Sequence, residues 1–181
     1  FLAARFALAA ATLAALAFYL RVEWPRTRTA IYHSMVCGVL MQAMYVGGVW
    51  WSVMHGLPVA ISGLISALQP ILTALFAPAI VGETISRRQW TGIALGFLGI
   101  LLVLGPALGQ IAPGKVGETL LQLAVNSCAM FAITFGTFYQ KRFVTSGHLV
   151  TTTAWQFVGA TIAVLPVALA LETLRLEWNV T

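Results

Sequence analysis

No charged side chain occurs between Arg28 and Glu83, a stretch far longer than the roughly 20 residues that one helical bilayer crossing needs. Soluble domains carry roughly 25% charged residues. This chain carries 8%, is 60% apolar and has a mean hydropathy of +0.90. Because so little polar surface cannot cover a soluble globule, the sequence predicts an integral membrane protein.

Apolar runs of bilayer-crossing length recur along the whole chain, and they are about twice as long as the strands of a membrane barrel. The six predicted spans are 1–20, 31–53, 57–81, 90–108, 119–140 and 149–171. The predicted fold class is therefore all-α, a polytopic transmembrane helix bundle. Residues 1–20 open inside an apolar stretch at Phe1 without a charged leader. We therefore expect a span and not a signal peptide there, in a sequence that is part of a longer chain.

Positive residues divide unevenly between the alternate sets of short loops. Loops 21–29, 83–88 and 141–148 hold seven of the ten Lys and Arg residues, and the other three are Arg5, Lys115 and Arg175. Because positive loops stay in the cytoplasm, these three loops are predicted to be cytoplasmic. The serine and glutamine of Ser86-Arg87-Arg88-Gln89 have the spacing of a capping box, which predicts a helix start after that loop.

A weak internal repeat relates the first and sixth predicted spans. Arg5-Phe6 aligns with Gln156-Phe157 in the segments RFALAAATLAALAF and QFVGATIAVLPVAL. Two equivalent spans that are five crossings apart face in opposite directions. Such inverted repeats are a recurring architecture of secondary transporters, whose substrate site lies between the halves near the bilayer midplane.

A longer pattern covers residues 66–106, which read SALQPILTALFAPAIVGETISRRQWTGIALGFLGILLVLGP. It combines a mid-span proline, Gly-Glu at a helix end, a short basic turn, a Gln-x-x-Gly helix start and a glycine-rich helix ending in Gly-Pro. In these features the stretch resembles the EamA domain of the drug/metabolite transporter superfamily. The resemblance implies ten helices in two inverted halves of five, of which this sequence would supply helices two to seven. Residues 1–108 would then hold helices two to five of the first repeat, 109–118 an extracytoplasmic linker, and 119–181 the first two helices of the second repeat.

Uncharged amides at membrane depth are the main candidates for a substrate cavity. They can bind a solute without the insertion cost of a charge, and they can equally bond neighbouring helices. With a tyrosine and the cation of the first span, the candidate cavity residues are Gln42, Tyr45, Gln69, Asn126, Gln156 and Arg5. Gln42 and Tyr45 are three apart and so share a helix face. Arg5 either pairs with a bound anion or extends to the headgroups.

Four further residues are assigned structural roles. Pro70 is expected to kink the third span, with the neighbouring Gln69 either facing a cavity or bonded to another helix. Glu83 is expected to cap or pair within the basic turn. Gly92 and Gly96 have the small-residue spacing of close helix packing, which we expect within the chain, with a contact between two copies as the alternative.

The predicted function is secondary-active transport of a small metabolite, amino acid or drug-like solute by alternating access. The chain has no phosphate-binding G-x-x-x-x-G-K-[ST] loop, so a coupled proton or ion, or the solute's own gradient, would supply the energy. A non-transporting membrane scaffold is the alternative. An intramembrane serine protease is disfavoured because its G-x-S-G motif is matched only by Ala60-Ile61-Ser62-Gly63.

The expected partners are the small solute and the lipid bilayer, in a multi-pass protein of a bacterial cytoplasmic (inner) membrane. The sequence predicts no cofactor and no metal site, because His33, His55 and His148 fall at opposite membrane edges. It predicts no nucleic-acid binding, because the basic residues form no clustered face. It indicates neither the solute, the direction of transport nor the oligomeric state.

Overall fold

The computed structural model describes residues 1–82, 85–109 and 116–171, and every regular element in these ranges is helical. A π-helical segment, Val39–Met44, joins the second and third α-helices. The α-helices are α1 (Leu2–Tyr19), α2 (Arg28–Gly38), α3 (Tyr45–Met54), α4 (Val59–Ser66), α5 (Gln69–Val81), α6 (Arg87–Gly109), α7 (Val116–Phe143) and α8 (Leu149–Leu171).

Five helical stretches among the described residues are long and apolar enough to cross a membrane. They are Leu2–Tyr19, Arg28–Met54, Val59–Ile80, Gly117–Phe143 and Leu149–Ala170. The predicted all-α, polytopic fold class is thus confirmed. Helix α6 has 23 residues, and at 1.5 Å per residue it measures about 35 Å, also enough for a bilayer core. Its crossing remains a prediction of the sequence.

The start of α6 confirms the predicted capping box. The backbone N–H of Ser86 donates to Oε1 of Gln89 at 2.8 Å. In return, the backbone N–H of Gln89 donates to Oγ of Ser86 at 3.3 Å. These reciprocal bonds satisfy two donors that an uncapped helix would leave without partners.

The third predicted span is one helical stretch, Val59–Ile80, interrupted at Ala67 and Leu68, which keep right-handed helical backbone angles. Helix α4 ends at Ser66 and α5 begins at Gln69, which places Pro70 in the first turn of α5. A proline costs little there, because the first turn of a helix needs no N–H from it. Within a continuous helix, Pro70 would have left the carbonyl of Ser66 without its donor. The break therefore has the same cause as the predicted kink, namely the backbone hydrogen bond that Pro70 cannot donate.

The second predicted span also departs from a regular α-helix, in the segment Val39–Met44. Gln42 lies in this π-helical segment, where hydrogen bonds run from i to i+5. The α-helical spacing that placed Gln42 and Tyr45 on one face therefore does not describe this part of the chain. π-helical turns are rare, and many of them occur at functional sites.

The helices form two compact units. The first consists of Phe1–Ala43 and the described part of Phe143–Thr181. In it α8 packs against both α1 and α2. Helices α2 and α8 come so close at Gly38 that an added Cβ would lie 1.8 Å from the backbone oxygen of Gln156. At Gly159 an added Cβ would lie 2.4 Å from the backbone oxygen of Met35.

The second unit is Met44–Arg142, which holds α3 to α6 and nearly all of α7. Its core joins residues of α4 and α7 with Leu57, which precedes α4. The fully packed members are Leu57, Ile61, Ile65, Ala129 and Met130. Polar contacts also tie α3 to α7, since Oγ of Ser52 donates to the backbone oxygen of Gln122 at 3.1 Å. Buried apolar contacts and a few satisfied polar groups thus hold this unit together.

Candidate functional site

A cavity of about 920 Å³ lies in the second unit, between α5 and α6. This volume is within the range of about 300–1,000 Å³ that small-molecule sites occupy. The residues that line it come from the α4–α5 break, α5, the turn before α6, the first part of α6 up to its middle and one position on α7. They are Ala67, Gln69, Pro70, Ile71, Thr73, Ala74, Ala77, Ile85, Gln89, Gly92, Ile93, Gly96, Ile100 and Thr137.

One face of α5 supplies the first wall of the cavity. Gln69, Thr73 and Ala77 are four residues apart in sequence and therefore lie along one side of the helix. The break before α5 places Gln69 and Pro70 at the start of this wall. Oγ1 of Thr73 donates to the backbone oxygen of Gln69 at 2.9 Å, so the hydroxyl proton is held by the helix itself.

One face of α6 supplies the second wall, and its glycines keep the cavity open. A Cβ added at Gly92 would meet nothing within 4 Å, and one added at Gly96 would meet only Cδ1 of Ile71 at 3.9 Å. No described backbone lies against these two glycines, and the close packing that we expected there, within the chain or between two copies, stays a prediction. Because glycine has no side chain, this part of the α6 face leaves space that other residues would fill.

The electrostatic character of the cavity follows from its lining. None of the described residues that line it is charged, and its polar groups are the amides of Gln69 and Gln89 and the hydroxyls of Thr73 and Thr137. Oγ1 of Thr137 donates to the backbone oxygen of Ile133 at 2.8 Å. Both hydroxyls therefore offer the cavity acceptor lone pairs. Oε1 of Gln89 accepts the capping bond, so the NH₂ group is the end of that amide left to donate.

The structure places Asn126 outside this cavity, in the contact between α4 and α7. Its side chain is fully buried, and its Oδ1 accepts a hydrogen bond from Oγ of Ser62 at 3.1 Å. Its Nδ2 is buried and has no hydrogen-bond partner among the described residues. Of the two roles left open for Asn126, this geometry favours the helix-bonding one.

Gln156 lies in the first unit, where α8 crosses α2. Its side chain is 4% exposed, and its Nε2 has no hydrogen-bond partner among the described residues. Nε1 of the preceding Trp155 is also buried and has no hydrogen-bond partner among the described residues. These buried donors are enclosed by protein, and neither residue lines the α5–α6 cavity.

The other sequence candidates are dispersed. Arg5 is exposed on α1 and does not line the α5–α6 cavity. Gln42 is half-buried in the π-helical segment. Tyr45 is half-buried and packs against the core of the second unit. Glu83 lies outside the described residues.

The cavity also contains residues that sequence reasoning missed. Thr73 could have been found, because it lies one helical turn after Gln69. Gln89 was assigned only a capping role, although the same side chain lines the cavity. Thr137 gives no local signal, because tertiary packing alone brings it to a wall formed by helices more than thirty residues earlier in the chain.

Comparison with known proteins agrees with this architecture. The model of the EamA-like transporter family matches residues 1–105, which is more than half of the chain. A relative, "Uncharacterized transporter YyaM" of Bacillus subtilis (strain 168), is 31% identical over 111 residues. That match covers 59% of this chain and 34% of the relative, so the chain spans about a third of the relative's length. No solved structure matched the chain.

The family match includes α1, the π-helical segment, the broken α4–α5 span and all but the end of α6. It thus contains most of the cavity and the 66–106 pattern from which the resemblance was drawn. With its apolar membrane-length helices and a relative named as a transporter, the chain belongs to the EamA-like transporter family, as its resemblance to drug/metabolite transporters predicted.

Proposed function

We propose that the protein containing this chain is a secondary-active transporter that moves a small solute across the membrane by alternating access. The observation that carries the proposal is the cavity beside the interrupted α4–α5 span in a chain of a transporter family. Interrupted helices form substrate sites in secondary transporters, because the ends of the two segments present polar groups within the bilayer.

The orientation predicted by the basic loops determines which side of the membrane this cavity would face. With the loop at 83–88 in the cytoplasm, the end of α5 and the start of α6 lie at the cytoplasmic face. Gln69 then lies twelve residues from the end of α5, about 18 Å into the bilayer at 1.5 Å per residue. The cavity would therefore run from near the midplane to the cytoplasmic side, as in an inward-facing transporter.

The inverted repeat has support from one contact in the first unit. The rings of Phe6 and Phe157, which the repeat alignment equates, lie 5.9 Å apart between centroids. In a pair related by a two-fold axis, a residue near the axis meets its own counterpart. This contact supports the division into helices two to five of one repeat (1–108), a linker (109–118) and the first two helices of a second repeat (119–181).

The solute class, the coupling ion and the location are parts of the same proposal. The cavity suits a small polar or amphipathic molecule, and a proton, another ion or the solute gradient would drive its movement. A bacterial cytoplasmic membrane is proposed as the site of action because the relative named as a transporter comes from a bacterium. Of the candidate cavity residues, Gln69 is proposed to contact the solute, because it lines the cavity.

A flux assay tests this function directly. The full-length protein is reconstituted into liposomes, and uptake of radiolabelled amino acids, amines and drug-like compounds is compared with uptake into protein-free liposomes. We expect saturable uptake of at least one solute without ATP, and exchange against the same unlabelled solute inside the vesicle. Folded protein that gives no saturable flux across the whole panel would instead support a membrane scaffold.

A further inference from the structure

Two of the polar groups that line the α5–α6 cavity are hydroxyls whose protons are already bonded to the helix, and the other two are amides. Thr73 and Thr137 each donate their hydroxyl proton to a helix carbonyl one turn earlier, at 2.9 Å and 2.8 Å. Neither hydroxyl has a second proton. Each can therefore only accept a hydrogen bond from a molecule in the cavity.

The remaining lining is apolar or amide. Isoleucines and alanines of α5 and α6 form the walls, and Gly92 and Gly96 leave the α6 face flat. No lysine, arginine, histidine, aspartate or glutamate is among the described residues that line the cavity. An ion bound here would meet no counter-charge among those residues, and an unpaired charge beside an apolar wall is unfavourable.

From these two observations we infer that the α5–α6 cavity selects uncharged amphipathic solutes that donate a hydrogen bond, and that Thr73 and Thr137 are the acceptors. The inference rests on the proposed function and makes its substrate class specific. A carboxylate is disfavoured because it brings an unpaired negative charge and cannot donate to the threonines, although the amide NH₂ groups of Gln69 and Gln89 can donate to it. An uncharged ether of the same shape is disfavoured only because it leaves the threonine lone pairs without a donor.

Three naphthalenes of similar size separate these effects. At neutral pH, 1-naphthol is uncharged and donates one hydrogen bond, 1-methoxynaphthalene is uncharged and donates none, and 1-naphthoate is an anion. Binding to the full-length protein in detergent is measured by equilibrium dialysis, with empty micelles subtracted. Since a neutral hydrogen bond contributes about 0.5–1.5 kcal/mol, we expect 1-naphthol to bind roughly three- to tenfold more tightly than 1-methoxynaphthalene. We expect 1-naphthoate to bind more weakly than either.

Isosteric variants locate the acceptors. Thr73→Val and Thr137→Val should each reduce the preference for 1-naphthol over its methyl ether. The ether should bind at least as tightly as before, because valine leaves no lone pairs without a donor. Retained ether binding also shows that the variants are folded. Thr161→Val is the matched control, because Oγ1 of Thr161 makes the same kind of bond, to the backbone oxygen of Phe157 at 2.7 Å, and Thr161 does not line the cavity. It should keep the full preference.

The outcomes separate this inference from the proposed function. Equal binding of 1-naphthol and its ether, tight binding of 1-naphthoate, or a preference that survives both cavity variants would overturn the inference. If such a protein still transports solutes, secondary transport stands and only the substrate class is wrong. If the preference and its loss are observed in a folded protein without flux, the inference is supported and the transport proposal fails.

Discussion

Replacing Gly38 or Gly159 by alanine is expected to disrupt the first unit, although alanine is the smallest possible change. An added Cβ at Gly38 would lie 1.8 Å from the Gln156 carbonyl oxygen, and one at Gly159 would lie 2.4 Å from that of Met35. Both obstacles are helix backbone, so neither can rotate aside, and the helices must separate. Steric overpacking typically costs 1–3 kcal/mol, and we expect about 2 kcal/mol or more at each site.

The control variant, Gly47→Ala, should not lower the midpoint of thermal unfolding. Gly47 lies in α3, and a Cβ there would meet nothing within 4 Å. Gly47→Ala gains about 1 kcal/mol of helix propensity without a clash. Thermal unfolding followed by fluorescence-detected size exclusion should therefore show a lower midpoint for Gly38→Ala and Gly159→Ala and an unchanged or higher one for Gly47→Ala. Equal midpoints for all three variants would show that α2 and α8 do not cross at these glycines.

Filling the α5–α6 cavity is expected to abolish transport while the protein stays folded. In the double variant Gly92→Leu/Gly96→Leu, two isobutyl groups enter the space that these glycines leave open. We expect saturable flux to fall at least tenfold, equivalent to about 1.4 kcal/mol or more in the rate-limiting step. The reason is steric, since solute and leucine side chains would compete for one volume.

A second double variant of α6 adds two leucine side chains at positions that do not line the cavity. Gly99 and Gly105 are exposed on α6, have open space around an added Cβ and do not line the cavity. Gly99→Leu/Gly105→Leu should therefore keep near wild-type flux in the same liposome assay. Comparable flux in both double variants, at comparable reconstituted amounts, would place the solute path outside this cavity.

The sequence predicted the helices well because bilayer crossing imposes a length and a composition that can be counted. The start of α6 was also predictable, since both partners of its capping box lie within four residues. The interruption at Pro70 was anticipated in position but not in form. Sequence shows that a hydrogen bond is lost there, whereas packing decides whether the helix bends or ends. The π-helical turn around Gln42 gave no comparable signal.

The glycines show what spacing along one helix does not specify. Gly92 and Gly96 have the spacing of a close helix contact, yet they border open space in the described chain. Gly38 and Gly159 have no such motif, yet they permit the tightest crossing in the first unit. Which glycine meets a neighbouring backbone depends on contacts between distant segments. Spacing along one helix cannot specify these contacts, and the same holds for the threonine that α7 brings to the cavity.

The two buried amides also show that the sequence does not reveal what a buried side chain contacts. Asn126 and Gln156 were chosen because uncharged amides at membrane depth can bind a solute without the insertion cost of a charge, and both are buried. Hydropathy cannot distinguish an amide that faces a solute from one that faces another helix. The bond from Ser62 makes that distinction for Asn126. The cavity lining makes it for Gln69, which remains the sequence-derived candidate best placed to meet a solute.

The central claim is that the chain crosses the membrane six times, with its basic loops in the cytoplasm and its two repeats inverted. Cysteine labelling tests it most directly. Cys37 and Cys128 are replaced by alanine, and single cysteines are introduced at His55, Ser86 and Ser146, all of which are exposed. With a membrane-impermeant maleimide, we predict that Ser86→Cys and Ser146→Cys are labelled only from the cytoplasmic side and His55→Cys only from the opposite side. Labelling of positions 86 and 146 from opposite sides would contradict the inverted arrangement and the transport mechanism built on it.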